Sequence, residues 1–244
     1  MPFPATSFPA RVVAARTLSP SVRELTLERE GESFDFDPGQ WVNVFVDIGG
    51  SELKRSYSIA SPPNGSGRFD LAVTRVTDGP MSEQLHRMQI GETVRAVGPS
   101  GLFTRAADDP RPALFVGTGT GITPLRSMIM AAVAAGSRAP FSVLLGFRNE
   151  ADILYADDLA AWRALGADVS VTLSKPHAGW QGLTGYVQEH LAEKLSALGG
   201  PDGPSGNETH IYVCGLEKMV TAVRDRAKNE LGVPRKQIHQ ERFD

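Results

Sequence analysis

Apolar and polar residues alternate with a period of two through much of the first hundred positions, then give way to short apolar runs each followed by a longer helical stretch. Val22 to Glu28 carries Leu25 and Leu27 at alternate positions. Trp41 to Ile48 alternates Val42, Val44, Val46 and Ile48 with Trp41, Asn43, Phe45 and Asp47. That period marks half-buried strands. Further strands are predicted near 56–60, 69–75 and 93–97, and only Met81 to Met88 reads as helical. Asp37-Pro38-Gly39, Gly49-Gly50 and Pro62-Pro63-Asn64-Gly65-Ser66-Gly67 supply the turns. Short, closely spaced strands predict a small antiparallel β-barrel over residues 1–108.

Asp108-Asp109-Pro110-Arg111-Pro112 breaks the pattern, and residues 109–244 form the second predicted domain. Strands at 113–116, 141–146, 169–173 and 211–214 alternate with helices at 124–135, 156–165, 186–198 and 217–231, and a short strand at 237–243 closes the chain. Gly136, Gly166 and Gly232 end three of the helices. Such alternation implies a doubly wound parallel sheet with helices on both faces, and ligands then bind at the carboxyl ends of its strands. The Gly/Pro-rich run Gly199 to Asn207 reads as a mobile surface loop.

Composition narrows the class. Hydrophobic residues make up 41% and charged residues 22%, as in a soluble globular protein. A net charge of −3 argues against nucleic-acid binding. The longest purely apolar stretch, Met128 to Ala135, is too short to span a membrane, and Met1-Pro2-Phe3-Pro4 lacks the start of a secretory signal. The one cysteine, Cys214, excludes internal disulfides, a Cys-based iron–sulfur cluster and a Cys-rich zinc site. A reducing cytoplasm is expected. His177, His190, His210 and His239 show no metal spacing.

The chemistry concentrates where the first parallel strand runs through Gly117-Thr118-Gly119-Thr120-Gly121 into a helix with Pro124 in its first turn. Glycines admit close backbone approach, and the helix N-terminus offers unpaired N–H groups, so the stretch is a seat for a pyrophosphate. It departs from the G-x-G-x-x-G fingerprint, and a purely structural turn is the alternative.

Five further motifs, in order, carry a resemblance. Pro38-Gly39-Gln40 precedes Arg55-Ser56-Tyr57-Ser58, which looks like an R-x-Y-S flavin motif. Gly79-Pro80-Met81-Ser82 is similar to a G-x-x-S phosphate turn, with Pro80 removing one amide donor. Gly98-Pro99-Ser100-Gly101-Leu102-Phe103 is similar to a G-P-x-G-x-F segment, and Cys214-Gly215-Leu216 with Met219 to a C-G-x-x-x-M motif. Together with the glycine loop they resemble the ferredoxin–NADP reductase superfamily from about Arg11 to Phe243.

The resemblance implies bound FAD. Arg55 offers a planar fork to its diphosphate, Tyr57 lies on the isoalloxazine and Ser58 reaches the ring edge. Ser56 completes the motif. Met81, Ser82 and Gly79 serve the diphosphate, and Arg75 the ribityl or ribose side. On the nicotinamide side, Cys214, Gly215 and Met219 shape the transfer geometry. Glu241-Arg242-Phe243 looks like the carboxylate-x-aromatic ending of plant-type reductases, with Phe243 in place of tyrosine and Asp244 added. Ser174, Lys175 and Tyr186, with Arg148 and Tyr155 around the same crevice, resemble the elements that bind NADP, since no acid follows Leu173 until Glu189; NAD is the alternative.

The implied activity is hydride transfer from NADPH to FAD, then single-electron delivery to a separate ferredoxin or flavodoxin, with a monomer favoured. The rival enzyme is an NADH-dependent reductase serving an oxygenase or reducing free flavin. The rival from another class is a redox-idle flavin sensor or structural subunit. An acyl or phosphoryl transferase lacks both a P-loop lysine and a nucleophile–base pair.

Overall fold

In the computed structural model, residues 6–203 and 208–243 are described. Residues 204–207 of the predicted loop, and Asp244, lie outside them. The chain divides into two compact units. One runs up to Ala107 and takes in Arg126–Ala135; the other comprises Asp108–Leu125 and the chain from Gly136 onward.

The first unit is a curled antiparallel sheet. Its strands are β1 (Thr6–Ser19), β2 (Val22–Glu28), β3 (Trp41–Ile48), β4 (Ser51–Ser58), β5 (Arg68–Thr74) and β6 (Thr93–Ser100), in the order β4-β3-β6-β1-β2-β5. An antiparallel bridge between Ile59 and Leu71 ties the chain just beyond β4 to β5, drawing the two edges toward closure. Inward-facing Phe8, Leu25, Val42, Phe69 and Val94 fill the interior, with the Phe34 ring tilted against those of Phe8 and Phe69. Helix α1 (Pro80–Arg87) presents Met81 and Leu85 to that core.

β1 does not stand out in the sequence, because Pro9 interrupts it and two register shifts, between Val12 and Ala14 and between Thr17 and Ser19, break its alternation. Pro9 is tolerated where β1 pairs only with β6, before pairing with β2 begins at Arg11. β4 begins earlier than the pattern predicts, since the Gly49-Gly50 turn leads straight into pairing of Ile48 with Ser51.

The second unit is a parallel sheet in the order β10-β9-β8-β7-β11-β12: β7 (Ala113–Thr118), β8 (Phe141–Phe147), β9 (Asp168–Leu173), β10 (Leu183–Thr184), β11 (His210–Leu216) and β12 (Ile238–Phe243). The strand order reverses at β7, with β8 on one side and β11 on the other. Helices α2 (Ile122–Ala134), α3 (Ala156–Ala164), α4 (Leu191–Ala197) and α5 (Glu217–Asn229) connect the strands. Gly136, Gly166 and Gly232 take positive φ just beyond three of them, as predicted. The helix predicted at 186–198 is shorter. Gly185 N–H bonds Leu173 O at 3.0 Å, which continues the strand pairing and leaves Tyr186 extended, so one 3-10 turn precedes α4. No helix among the described residues is long and apolar enough to cross a membrane.

Candidate active site

In the first unit the R-x-Y-S segment occupies the edge strand β4. Leu53, Arg55 and Tyr57 share one face, since side chains two apart point the same way. Leu53 and Tyr57 pack against the barrel core, whereas Arg55 on that same face is exposed. Arg55 donates to the Lys54 carbonyl at 2.8 Å and has no carboxylate partner among the described residues. Burial pushes the Tyr57 hydroxyl up to about 12, against a weaker downward pull from Arg55, so it stays a donor at neutral pH. Ser56 donates to Asn43 Oδ1 at 2.9 Å, and Ser58 is buried.

Gln40 anchors this strand. It accepts from Asp37 N–H at 2.8 Å through Oε1, donates to Gly101 O at 3.3 Å and takes the Ile59 N–H on its carbonyl at 2.9 Å. Gly39 is at φ +103°, and a Cβ there would stand 2.1 Å from the Phe103 carbonyl, so Pro38-Gly39-Gln40 is bound to the 98–103 segment by close packing.

The phosphate turn is arranged differently from expectation. Gly79 is the N-cap of α1, and Ser82 Oγ accepts from Val76 N–H at 3.0 Å and donates to Gly79 O at 2.9 Å. Its hydroxyl is thus engaged inside the turn, leaving the Met81 and Ser82 amides, which a helix start leaves without intrahelical acceptors. Arg75 grips Glu83 with both arms, at 2.7 and 2.9 Å, so its fork is engaged too.

In the second unit the glycine loop runs from β7 through a 3-10 turn at Gly119–Gly121 into α2, with Pro124 in the first helical turn. Its glycines divide the work. A Cβ on Gly121 would lie 2.2 Å from Cys214 O, and one on Gly117 would lie 3.0 Å from Leu125, so both serve protein packing. Gly119, at φ +53° with nothing within 4 Å, faces open space. Thr120 O accepts the Thr123 hydroxyl at 2.8 Å. Thr118 Oγ1 is enclosed and has no hydrogen-bond partner among the described residues. Gly215, at φ +149°, passes between Thr118 Oγ1 and the Met219 methyl, where a Cβ would stand 2.4 and 2.7 Å from them.

Cys214 is wholly buried, and burial first, then the Glu241 carboxylate, push its thiol well above the ordinary value. Parallel pairing sets Glu241 opposite Cys214 and half-buried Phe243 opposite Leu216. At the carboxyl ends of β8 and β9, Ser174 N–H bonds Phe147 O at 3.1 Å and Lys175 N–H bonds Arg148 O at 2.7 Å. Arg148, Ser174, Lys175 and Tyr186 are all exposed, and neither cation has a carboxylate partner among the described residues. Tyr155, expected beside them, is instead buried at the N-cap of α3 with φ +55°.

Sequence reasoning missed Arg126 and Ser127. Arg126 donates to Ala60 O at 2.8 Å and Ser127 to Ser61 O at 2.7 Å, both just past the flavin motif. A single charge in the otherwise apolar stretch of α2 is the signal that marks them. At the opposite ends of the parallel strands, His210 Nδ1 and His239 Nε2 lie 2.8 Å apart. The described residues hold no group of three or more His, Cys, Asp or Glu that could bind a metal ion.

Comparison with known proteins decides the family. Residues 9–104 match the oxidoreductase FAD-binding domain and residues 115–225 the oxidoreductase NAD-binding domain. The chain is 53% identical over 241 residues to ferredoxin–NADP reductase B of Sorangium cellulosum, covering 97% of this chain and 98% of that one. The chain belongs to the ferredoxin–NADP reductase superfamily. It is an oxidoreductase with an FAD-binding and an NAD-binding domain.

Similarity extends to further proteins at lower identity. NADH-cytochrome b5 reductase 1 of Cryptococcus neoformans is 29% identical over 213 residues, 85% of this chain and 72% of that one. The ferredoxin reductase in carbazole 1,9a-dioxygenase superposes with a TM-score of 0.83 at 25% identity, over 99% of this chain and 70% of its own. A ferredoxin NADP+ reductase from Neisseria gonorrhoeae shares the fold, with a TM-score of 0.79 at 19% identity over 97% and 98% of the two chains. The residues present fit the two cofactor classes. Among the described residues, Arg55 on its strand is a cation without a carboxylate partner and Thr118 an enclosed hydroxyl without a hydrogen-bond partner, while Gly119 is an open step between Thr118 and α2.

Proposed function

We propose that the enzyme takes a hydride from NADPH and passes electrons singly to a separate ferredoxin or flavodoxin. The observation that carries the choice of NADPH is the pair Arg148 and Lys175, joined through a 2.7 Å backbone bond at the ends of two adjacent strands with both side chains exposed. Two cations and the Ser174 hydroxyl suit a 2′-phosphate. The name of the 53% identical relative supports the same reading.

FAD, when bound, accepts a hydride and releases its electrons one at a time. Arg55 binds the diphosphate, aided by the Met81 and Ser82 amides of the Gly79 turn. Tyr57, kept protonated, and the buried Ser58 would hold the flavin ring, and Ser56 braces the strand through Asn43. Gly117, Gly119, Gly121 and Pro124 shape the nucleotide loop, and Thr118, Thr120 and Gly215 line it. Cys214 remains a thiol and gives the nicotinamide a neutral wall, while Met219 closes the far side of Gly215. Glu241, paired opposite Cys214, would assist proton movement beside that wall, and Phe243 would exclude water. Tyr186 would join Ser174 and Lys175 on the NADP side, and Arg75, paired with Glu83, would serve the ribityl or ribose side of the flavin. Residues 1–108 supply the flavin half and residues 109–244 the nucleotide half.

The single cysteine of this sequence cannot hold a cluster; the proposed one-electron acceptor is a separate protein and the proposed compartment the cytoplasm. The second reading, an NADH-dependent reductase of an oxygenase, is favoured by the likeness to the carbazole dioxygenase reductase. Anaerobic stopped-flow absorbance separates them. Flavin bleaching much faster with NADPH than with NADH supports the proposal, the reverse order supports the second reading, and no bleaching by either overturns both.

A further inference from the structure

Glu189 lies in the single 3-10 turn after Tyr186, and its side chain folds back over Gly185. A Cβ on Gly185 would stand 2.2 Å from Glu189 Oε2, so the carboxylate rests directly against the glycine backbone. Gly185 N–H in turn bonds Leu173 O, the residue before Ser174 and Lys175. Topology thus brings one carboxylate to the end of β9, from which Lys175 emerges, with Arg148 at the end of the adjacent β8. Glu189 forms no ion pair among the described residues and caps no amide of its own turn.

We infer that Glu189 is a specificity-determining residue that opposes the 2′-phosphate and favours an unphosphorylated ribose. The inference rests on the reading of Ser174, Lys175 and Arg148 as the 2′-phosphate site. A carboxylate accepts hydrogen bonds from the ribose hydroxyls of NADH and repels a phosphate at the same place. The cations set the sign of the preference, and Glu189 limits its size, which leaves the enzyme able to use either nucleotide. A glycine at 185 is what admits the carboxylate: any side chain there would displace it.

Calorimetric titration of the FAD-loaded protein with 2′,5′-ADP and with 5′-ADP tests this without turnover. Glu189→Gln keeps the reach of the side chain and removes its charge. It is expected to raise the affinity ratio of 2′,5′-ADP to 5′-ADP about fivefold, the scale of one exposed charge pair, and Glu189→Lys to raise it further. Lys175→Ala is expected to lower the same ratio. An unchanged ratio in both Glu189 variants, with Lys175→Ala still lowering it, overturns the inference and leaves the NADPH reading standing. A rise in the Glu189 variants, with no effect of Lys175→Ala and no preference in the wild type, upholds the role of Glu189 and overturns the NADPH reading.

Discussion

Gly121 and Cys214 meet backbone to backbone: a Cβ on the glycine would fall 2.2 Å from the cysteine carbonyl oxygen and 2.7 Å from its carbonyl carbon. The start of α2 is therefore pressed against the end of β11, where only a glycine fits. Gly121→Ala has no flexible side chain to push aside and must shift one element. It is expected to destabilise the protein by about 2–3 kcal/mol, the cost of overpacking a rigid core. Gly119→Ala, strained in φ but facing open space, should cost about 1 kcal/mol. Thermal unfolding of the two variants checks the order, and equal stability of Gly121→Ala and wild type would refute the packing account.

Arg55 is expected to contribute to binding and not to folding, because its guanidinium is exposed and has no acidic partner among the described residues. Arg55→Ala is expected to weaken FAD about 10- to 100-fold, the worth of a charge-assisted bond to phosphate. The unfolding midpoint of the apoprotein should stay where it is. Arg55→Lys should recover only part of the affinity, since an ammonium lacks the planar fork. Flavin retained after gel filtration, together with a melt of the apoprotein, separates the two effects.

Cys214 gives a pH dependence of definite sign. Its thiol is raised in the folded state by burial and by Glu241, so the folded protein holds its proton where the unfolded chain has lost it. The contribution is fully present below the unfolded thiol's value and is lost as pH rises through and beyond it. Urea midpoints of wild type should therefore fall between pH 8 and pH 10 more steeply than those of Cys214→Ala. Tyr57, also raised, acts in the same direction at higher pH in both proteins and cancels in the comparison. Parallel slopes would show that the thiol is not held protonated. The native protein should also resist iodoacetamide at neutral pH.

Arg126 is a buried cation that bonds Ala60 O at 2.8 Å and stands 3.9 Å from Asp70 Oδ2. Arg126→Ala would strand the Ala60 carbonyl and remove the cation beside Asp70, which keeps the Thr26 hydroxyl at 2.7 Å, at an expected cost of about 3 kcal/mol. Ser127→Ala loses only the 2.7 Å bond to Ser61 O and should cost about 1 kcal/mol. Chemical denaturation measures both, and a smaller loss for Arg126→Ala than for Ser127→Ala would contradict this ranking.

Much of the fold was legible because alternation and capping are local. The period of two in Trp41 to Ile48 placed β3 at its observed bounds, and glycines at 136, 166 and 232 marked three helix ends. β1 escaped because bulges and Pro9 disturb its period. The motifs pointed to candidate site residues, but not to the contacts those residues make. Gly117 and Gly121 turn out to be fixed by Leu125 and Cys214, contacts that no spacing in the chain encodes. Ser82 and Arg75 meet Gly79 and Glu83 through a turn whose geometry the motif leaves open. The partners of Arg126 and Ser127 lie 66 residues away in sequence, at Ala60 and Ser61, and only folding brings them together.

The sheet order of the first unit also governs when it can form. β6 lies between β3 and β1, and pairs Thr6 with Gly98 and Phe45 with Arg95. A nascent chain that has not yet delivered Thr93 to Ser100 from the ribosome carries two apolar strands with open edges and no partner for either. Such edges are templates for association with other chains. Synthesis that stalls in this window, or a gene truncated before it, should yield aggregates and not a smaller folded barrel, because the strand that joins the two halves of the sheet is the last one made.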